Sequence, residues 1–385
     1  MNTTLRSGTP EEASISPSRL RRVSNFAQEL ADQGTDYQAI VTIVARSGVI
    51  VLQEAFGKLR PGPDLSSVEL DSIFILSSLS KPIVATLAMI LLEDGLLSLN
   101  HTVEEYIPEF VGEGKDKIMI HHLLTHTTGL ITADVNEHAE KKKGNVEIPP
   151  SDEMQHPELN EYLFLRYDAP LSRPPGEVMT YSGFSYALMG EIVRRVSGKS
   201  LDDFARERLF GPLGMNDSYY ETPDSVRHRM VEYPAYRFPH IDFCIRLPIA
   251  SVGVISTAVD MAIFGQMFLN GGVYGDARIL SPASVAQMTR NQIPGIPWRY
   301  GEESGPEGNW GYGWAVHNAG LFYTAAPVLC SDRMFWHTGS GRVHLWVDPV
   351  YEIVGCFFSV CLKESGTMRE IAMFIDMVTA GVVDI

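Results

Sequence analysis

Three serines and a lysine, in Ser77-Ser78-Leu79-Ser80-Lys81-Pro82, stand directly ahead of the longest apolar run of the chain, Ile83 to Leu92. A serine hydroxyl is a weak nucleophile near neutral pH and needs a positioned base. Lysine can be that base once burial disfavours its charged form. Pro82 has no N–H and is comfortable only in a first helical turn, which sets a helix N-terminus at about Ser78. N–H groups at that end point outward, and the helix dipole favours developing negative charge there. Lys81 lies one turn after Ser78 on the same face, and Ser77, four residues before it, shares that face. Spacing leaves Ser77 and Ser78 as alternatives, and the same residues equally describe a capped core helix.

The elements that must position these groups are legible on either side. Ser16-Pro17 and RLRRVSNFAQELADQG predict a capped amphipathic helix stopped before Gly34. AIVTIVARSGVIVLQEAFGKL reads as a hairpin about Arg46-Ser47-Gly48. From Lys81 to about Ser200 the pattern is mainly helical, interrupted by a polar loop from about Ala133 to Glu158 that carries the solvated run Lys141-Lys142-Lys143. The turn Arg173-Pro174-Pro175-Gly176 precedes TYSGFSYALMGEIVRRVSG, a helix ending at Gly198. STAVDMAIFGQMFLNGG is a further helix with a glycine stop, RMFWHTGSGRVHLWVDP and YEIVGCFFSVCL read as strands, and a last helix is expected from about Thr367 to Thr379. The expected fold class is α/β: an antiparallel sheet built from both termini, flanked by helices, with a mainly helical region inserted. The expected division is residues 1–80 and 241–385 for the two parts of the α/β domain and 81–240 for the insertion.

Composition narrows the function. The 385 residues are 45% hydrophobic, enough for a large core, and carry a formal net charge of −16. That balance argues against nucleic-acid or anionic-membrane partners, which need clustered Lys and Arg. The N-terminal residues have no apolar signal region, and the four cysteines have no metal-type spacing, so a cytoplasmic protein with reduced thiols is expected. His122-x-x-x-His126 has the spacing of a zinc pair but lacks the glutamate of a zinc protease. PELNE, Pro157 to Glu161, resembles a lactamase deacylation loop only by coincidence, since His156 stands where the general-base Glu would be. No Gly-x-Ser-x-Gly elbow is present. No metal or organic cofactor is implied, and nothing in the sequence specifies an oligomeric state.

Beyond the opening motif, TPEEASISPSRL, VARSGVIVLQEAFG, SSLSKP, IMIHHLLTHTTGL, RPPGEVMTYSGFSYALMGEIV, FGPLGM, GVISTAVDMAIFG, WGYGWAV and WHTGSG follow one another along nearly the whole chain. In these segments and their order the sequence resembles the serine β-lactamase-like superfamily. The members concerned are the class C β-lactamases, the D-alanyl-D-alanine carboxypeptidases and the family VIII carboxylesterases, and it is closest in character to the last. The resemblance implies a β-lactamase/penicillin-binding-protein-like fold with Ser78 as nucleophile, Lys81 as its partner and Tyr181 as a second basic group. It places His337-Thr338-Gly339 where penicillin-recognising members have Lys-Thr-Gly, and it implies an oxyanion hole of the Ser78 and Ser340 backbone N–H groups. Neutral Lys81, or a Tyr181 phenolate held by nearby positive charge, could then activate Ser78 and later a water.

Two positions depart from the family pattern. Gly183 replaces the asparagine that holds a substrate amide in the lactamases, and His337, mostly neutral at pH 7, replaces the lysine that anchors a carboxylate. Ester cleavage needs neither contact. Trp298, Trp310, Trp336, Trp346 and Phe358 could line an apolar acyl pocket. The expectation is a serine carboxylesterase acting on small-molecule esters through an acyl-enzyme. The alternatives are a β-lactamase, D-aminopeptidase, amidase or acyltransferase with the same residues, or a catalytically silent binding module of the same fold.

Overall fold

In the computed structural model, which describes residues 3–34, 36–61, 66–316, 327–363 and 368–384, seven strands form one sheet. In chain order they are β1 (Arg6–Ser7), β2 (Tyr37–Arg46), β3 (Val49–Gly57), β4 (Ala315–Val316), β5 (Phe335–Gly339), β6 (Val343–Asp348) and β7 (Ile353–Cys361). Their order across the sheet is β1-β3-β2-β7-β6-β5-β4, so the two ends of the chain meet where β2 pairs with β7. All neighbours are antiparallel except β1, which runs parallel to β3. At the β2–β3 turn Ser47 and Gly48 have φ of 51° and 80°, the pair of left-handed residues that suits strand twist in a two-residue hairpin.

The principal helices are α1 (Pro17–Asp32), α2 (Ser80–Glu93), α3 (Gly183–Ser197), α4 (Ala258–Leu269) and α5 (Arg369–Thr379). Alternate strand residues enter opposite sides of the sheet. Ile40, Val44 and Leu52 join the apolar cluster of α1 and α5, whereas Ala39, Val41 and Ile43 join the one that holds α2, α3 and α4. Burial on both faces is why β2 reads as an unbroken apolar run. Every residue of α2 from Ser80 to Leu91 is buried, as expected of a helix that is hydrophobic all round.

Part of the expected polar loop is ordered differently. Thr132–Lys142 is a helix, held by Val135 and Ala139, which are buried four residues apart. So narrow a stripe in a polar segment gives almost no periodic signal. Lys142 ends this helix in an ion pair with Asp168 at 2.7 Å. A second helix, Pro157–Phe164, begins at the end of the same stretch with His156 as its cap. Ser16 does precede α1, but its hydroxyl meets Ser18 instead of a helical N–H. The last helix starts at Arg369; Thr367 lies outside the described residues.

Among the described residues no helix is long and apolar enough to cross a membrane, and no group of three His, Cys, Asp or Glu side chains could hold a metal ion. All four cysteines are free thiols.

Candidate active site

Ser77 to Leu79 form one tight helical turn that runs straight into α2. Ser77 has φ 47° and is buried, and Ser80 is buried with its hydroxyl accepting from the Val254 N–H at 3.1 Å. Between Ser72 and Leu91, Ser78 alone is not fully buried, and it lines a cavity of about 330 Å³. Burial therefore separates the two serines that spacing could not.

Lys81 sits beneath this surface, 1% exposed. Its Nζ donates to the Ser251 carbonyl at 3.1 Å and stands 4.8 Å from the Tyr181 ring centre. Loss of hydration around the ammonium pulls its pKa down from 10.5 to about 7, so neutral amine is available at ordinary pH.

Tyr181 precedes α3, whose cap Ser182 accepts from the Ser185 N–H. Its backbone is held on both sides by one residue. The His126 carbonyl accepts from the Thr180 N–H at 2.8 Å, and His126 Nδ1 accepts from the Ser182 N–H at 3.1 Å. The imidazole also lies 4.4 Å from the Tyr181 ring, centre to centre. Accepting at Nδ1 puts the ring proton on Nε2. Burial, with the charge of Lys81 added, holds His126 well below the usual histidine pKa, so the ring stays neutral and the lone pair stays available. His126 pays for this place with φ 59°, a conformation uncommon for a residue with a side chain.

The facing wall is the end of β5. His337, Thr338, Gly339 and the following Ser340 line the same cavity as Ser78 and Tyr181. Gly339 is required by contact: a Cβ there would stand 1.9 Å from the Leu76 carbonyl oxygen. The strand can close on the Ser78 turn only without a side chain. His337 Nδ1 meets the Thr338 carbonyl at 2.9 Å, so Nδ1 carries the proton and Nε2 keeps its lone pair. Burial first, then Lys81, depress His337 well below 6.5. No ammonium stands at this position in the wall. Gly183 opens α3 beside Ser251, where an added Cβ would meet nothing closer than the Ser251 hydroxyl at 3.8 Å.

Of the five large residues expected around an acyl pocket, Trp310 and Trp336 line the cavity. Trp298, Trp346 and Phe358 do not; they are core residues, Trp346 against Phe374 and Phe358 edge-on to Phe74. The bulky side chains of β6 and β7 are drawn into the two apolar clusters by the sheet's double cover. His122 is occupied in a helix start, accepting from the Met119 N–H at 3.0 Å.

Sequence reasoning missed the clamp by His126, because no local pattern ties it to residues more than fifty positions later. It also missed Arg237, Arg342 and Lys363, which line the same cavity.

A model of the beta-lactamase family matches residues 26–376. A Salmonella schwarzengrund protein provisionally named D-alanyl-D-alanine carboxypeptidase is 24% identical, over 90% of this chain and 83% of its own length. A penicillin-binding protein homologue from Caulobacter crescentus superposes with a TM-score of 0.74 at 21% identity, covering 95% of this chain and 98% of that one. A family VIII carboxylesterase superposes with a TM-score of 0.70 at 20% identity, over 95% and 98%. At these identities the solved structures establish the fold.

Proposed function

The chain belongs to the beta-lactamase family of serine hydrolases, and on that footing we propose that it is a carboxylesterase working through an acyl-enzyme on Ser78. The observation that carries the reading is convergence. Ser78, Tyr181 and the end of β5 share one cavity, and the buried Lys81, with a pKa near 7, holds its Nζ 4.8 Å from the Tyr181 ring centre.

Ser78 Oγ attacks the ester carbonyl carbon as its proton passes to the Lys81 amine, with Tyr181 as relay. The backbone N–H groups of Ser78 and Ser340 receive the oxyanion; such preorganised donors are usually the largest single electrostatic contribution. The proton then goes to the departing alkoxide, and the alcohol leaves. Water, losing its proton to Tyr181 or Lys81, attacks the acyl carbon and releases the acid and Ser78. His126 acts on this sequence only by holding Tyr181.

Preference for esters rests on Gly183 and His337. No carboxamide at the first position holds a substrate amide, and the neutral imidazole at the second is a weak anchor for a carboxylate. The four free thiols fit a reducing compartment, so the proposed location is the cytoplasm.

The test is hydrolysis of p-nitrophenyl acetate and butyrate beside nitrocefin. The wild type should cleave the esters and Ser78→Ala should lose at least ~10³-fold in kcat. Equal cleavage by the variant sinks the Ser78 assignment, and rapid nitrocefin turnover with inert esters replaces the esterase by a lactamase.

A further inference from the structure

The cavity that holds Ser78 is lined by the aromatic side chains Tyr300, Trp310 and Trp336 and by three cations, Arg237, Arg342 and Lys363. These three come from separate parts of the chain. Among the described residues the carboxylates paired with them are Glu370, 3.0 Å from Arg342 and 3.4 Å from Lys363, and Asp36, 2.7 Å from Lys363. Arg342 also donates to the Tyr37 hydroxyl at 2.5 Å. Among the described residues, three cations against two carboxylates leave one positive charge in excess.

Two observations locate that excess. Arg237 has no carboxylate partner among the described residues; its Nε donates to the Lys363 carbonyl at 3.1 Å. Arg342 is 7% exposed, and its Nη2 is buried with no hydrogen-bond partner among the described residues. A buried guanidinium nitrogen without an acceptor carries an unmet desolvation cost, which an entering anion would relieve. The chain as a whole is strongly acidic, with a formal net charge of −16. A positive pocket wall in such a protein stands out against the field around it.

We propose that this cationic cluster is a carboxylate subsite of the cavity, so that the substrates are esters bearing a free carboxylate on the acyl group, with an apolar or aromatic alcohol portion. The inference rests on the cavity being the ester-cleaving site. It revises the meaning of His337: the anionic contact that its neutral imidazole makes poorly is supplied by Arg237 and by Arg342, which lies in the turn directly after β5 with its N–H on the Gly339 carbonyl.

The test compares mono-p-nitrophenyl glutarate with its methyl ester, which differs in charge and one methyl group. At low salt the wild type should favour the acid in kcat/KM by ~10-fold or more, the scale of one charged hydrogen bond, and added salt should erode the preference. Arg237→Gln keeps a donor and loses the charge; it should reduce the ratio ~10-fold. A wild-type ratio at or below one, or a ratio retained in Arg237→Gln, overturns the subsite. Binding is read separately in Ser78→Ala from tryptophan fluorescence, with Trp310 and Trp336 as reporters. There 4-phenylbutyrate should bind ~10-fold more tightly than 4-phenylbutyramide, and Arg237→Gln should abolish the difference. If neither ester is cleaved, the hydrolase reading fails and this titration alone decides the subsite: equal affinities overturn it.

Discussion

The two sides of the proposed catalytic cleft are built in opposite ways. On one side Ser78 and Lys81 lie three residues apart on a single helical start, in a helix buried from Ser80 to Leu91. On the other, Tyr181 is held by His126 from a distant segment, and β5 supplies His337 to Gly339 from near the opposite end of the chain. The first side obtains its geometry from local backbone, since one helical turn fixes the offset between i and i+3. The second obtains it from long-range packing, and both sides carry a visible cost: φ 47° at Ser77 on the first, φ 59° at His126 and a glycine forced at position 339 on the second. Chemistry that needs two adjacent groups can be written into a helix, whereas a cleft needs a second wall that no local segment provides.

Breaking the local side should have the largest effect. Lys81→Met keeps the volume and removes the base, so ester turnover should fall ~10³-fold. Stability should respond with the opposite sense. The folded pKa near 7 lies below the ordinary 10.5, so between those values the unfolded chain binds more protons and wild-type stability rises with pH. The burial penalty is full below pH 7, and there Lys81→Met should have the higher Tm; the gap should close as pH rises towards 10.5. In the wild type, kcat/KM should climb with pH through an apparent pKa near 7. A flat profile across pH 6–8 would remove Lys81 from the base role.

Gly339→Ala strikes the junction between the two sides. Its methyl group must displace the Leu76 carbonyl, costing ~1–3 kcal/mol of stability and opening the wall against Ser78. A ~10²-fold fall in kcat is expected, the scale of one lost oxyanion donor, with denaturant melts checking the stability term. Wild-type kcat in this variant would mean that the β5 wall does not contribute to transition-state binding.

The smallest effect belongs to the clamp. His126→Phe retains the ring beside Tyr181 and strands the Ser182 N–H, costing ~1–3 kcal/mol. His126→Asn replaces the acceptor and tolerates the left-handed backbone better. kcat should drop ~10-fold in the Phe variant with KM little changed, and the Asn variant should recover most of it. A Phe variant with full kcat would reduce His126 to packing.

Much of the fold was legible because its signals are local. Glycine stops, the hairpin turn and the apolar runs of β2 and α2 each act over a few residues, so β2, β3, β5, β6, β7 and the main helices stand within a few residues of their expected places, whereas the two-residue edge strands β1 and β4 are too short to leave a pattern. The Thr132–Lys142 helix escaped because only Val135 and Ala139 tie it to the core. Within the site, aromatic type alone did not separate pocket from core. Trp336 and Trp346 pair directly across β5 and β6, yet Trp336 reaches the cavity and Trp346 is fully buried in the apolar cluster.

By itself, the sequence determined which residues could do chemistry, since Pro82 locates a helix start and the family resemblance assigns Ser78, Lys81 and Tyr181. Only the tertiary structure decided what surrounds them. It left Ser78 open while burying Ser77, lowered Lys81 to about 7, set His126 against Tyr181, and brought Arg237, Arg342 and Lys363 into the lining of one pocket. The physical reason is range. Helix starts and turns are fixed by neighbouring dihedrals, but desolvation and charge balance depend on every group within several ångströms, whatever its place in the chain.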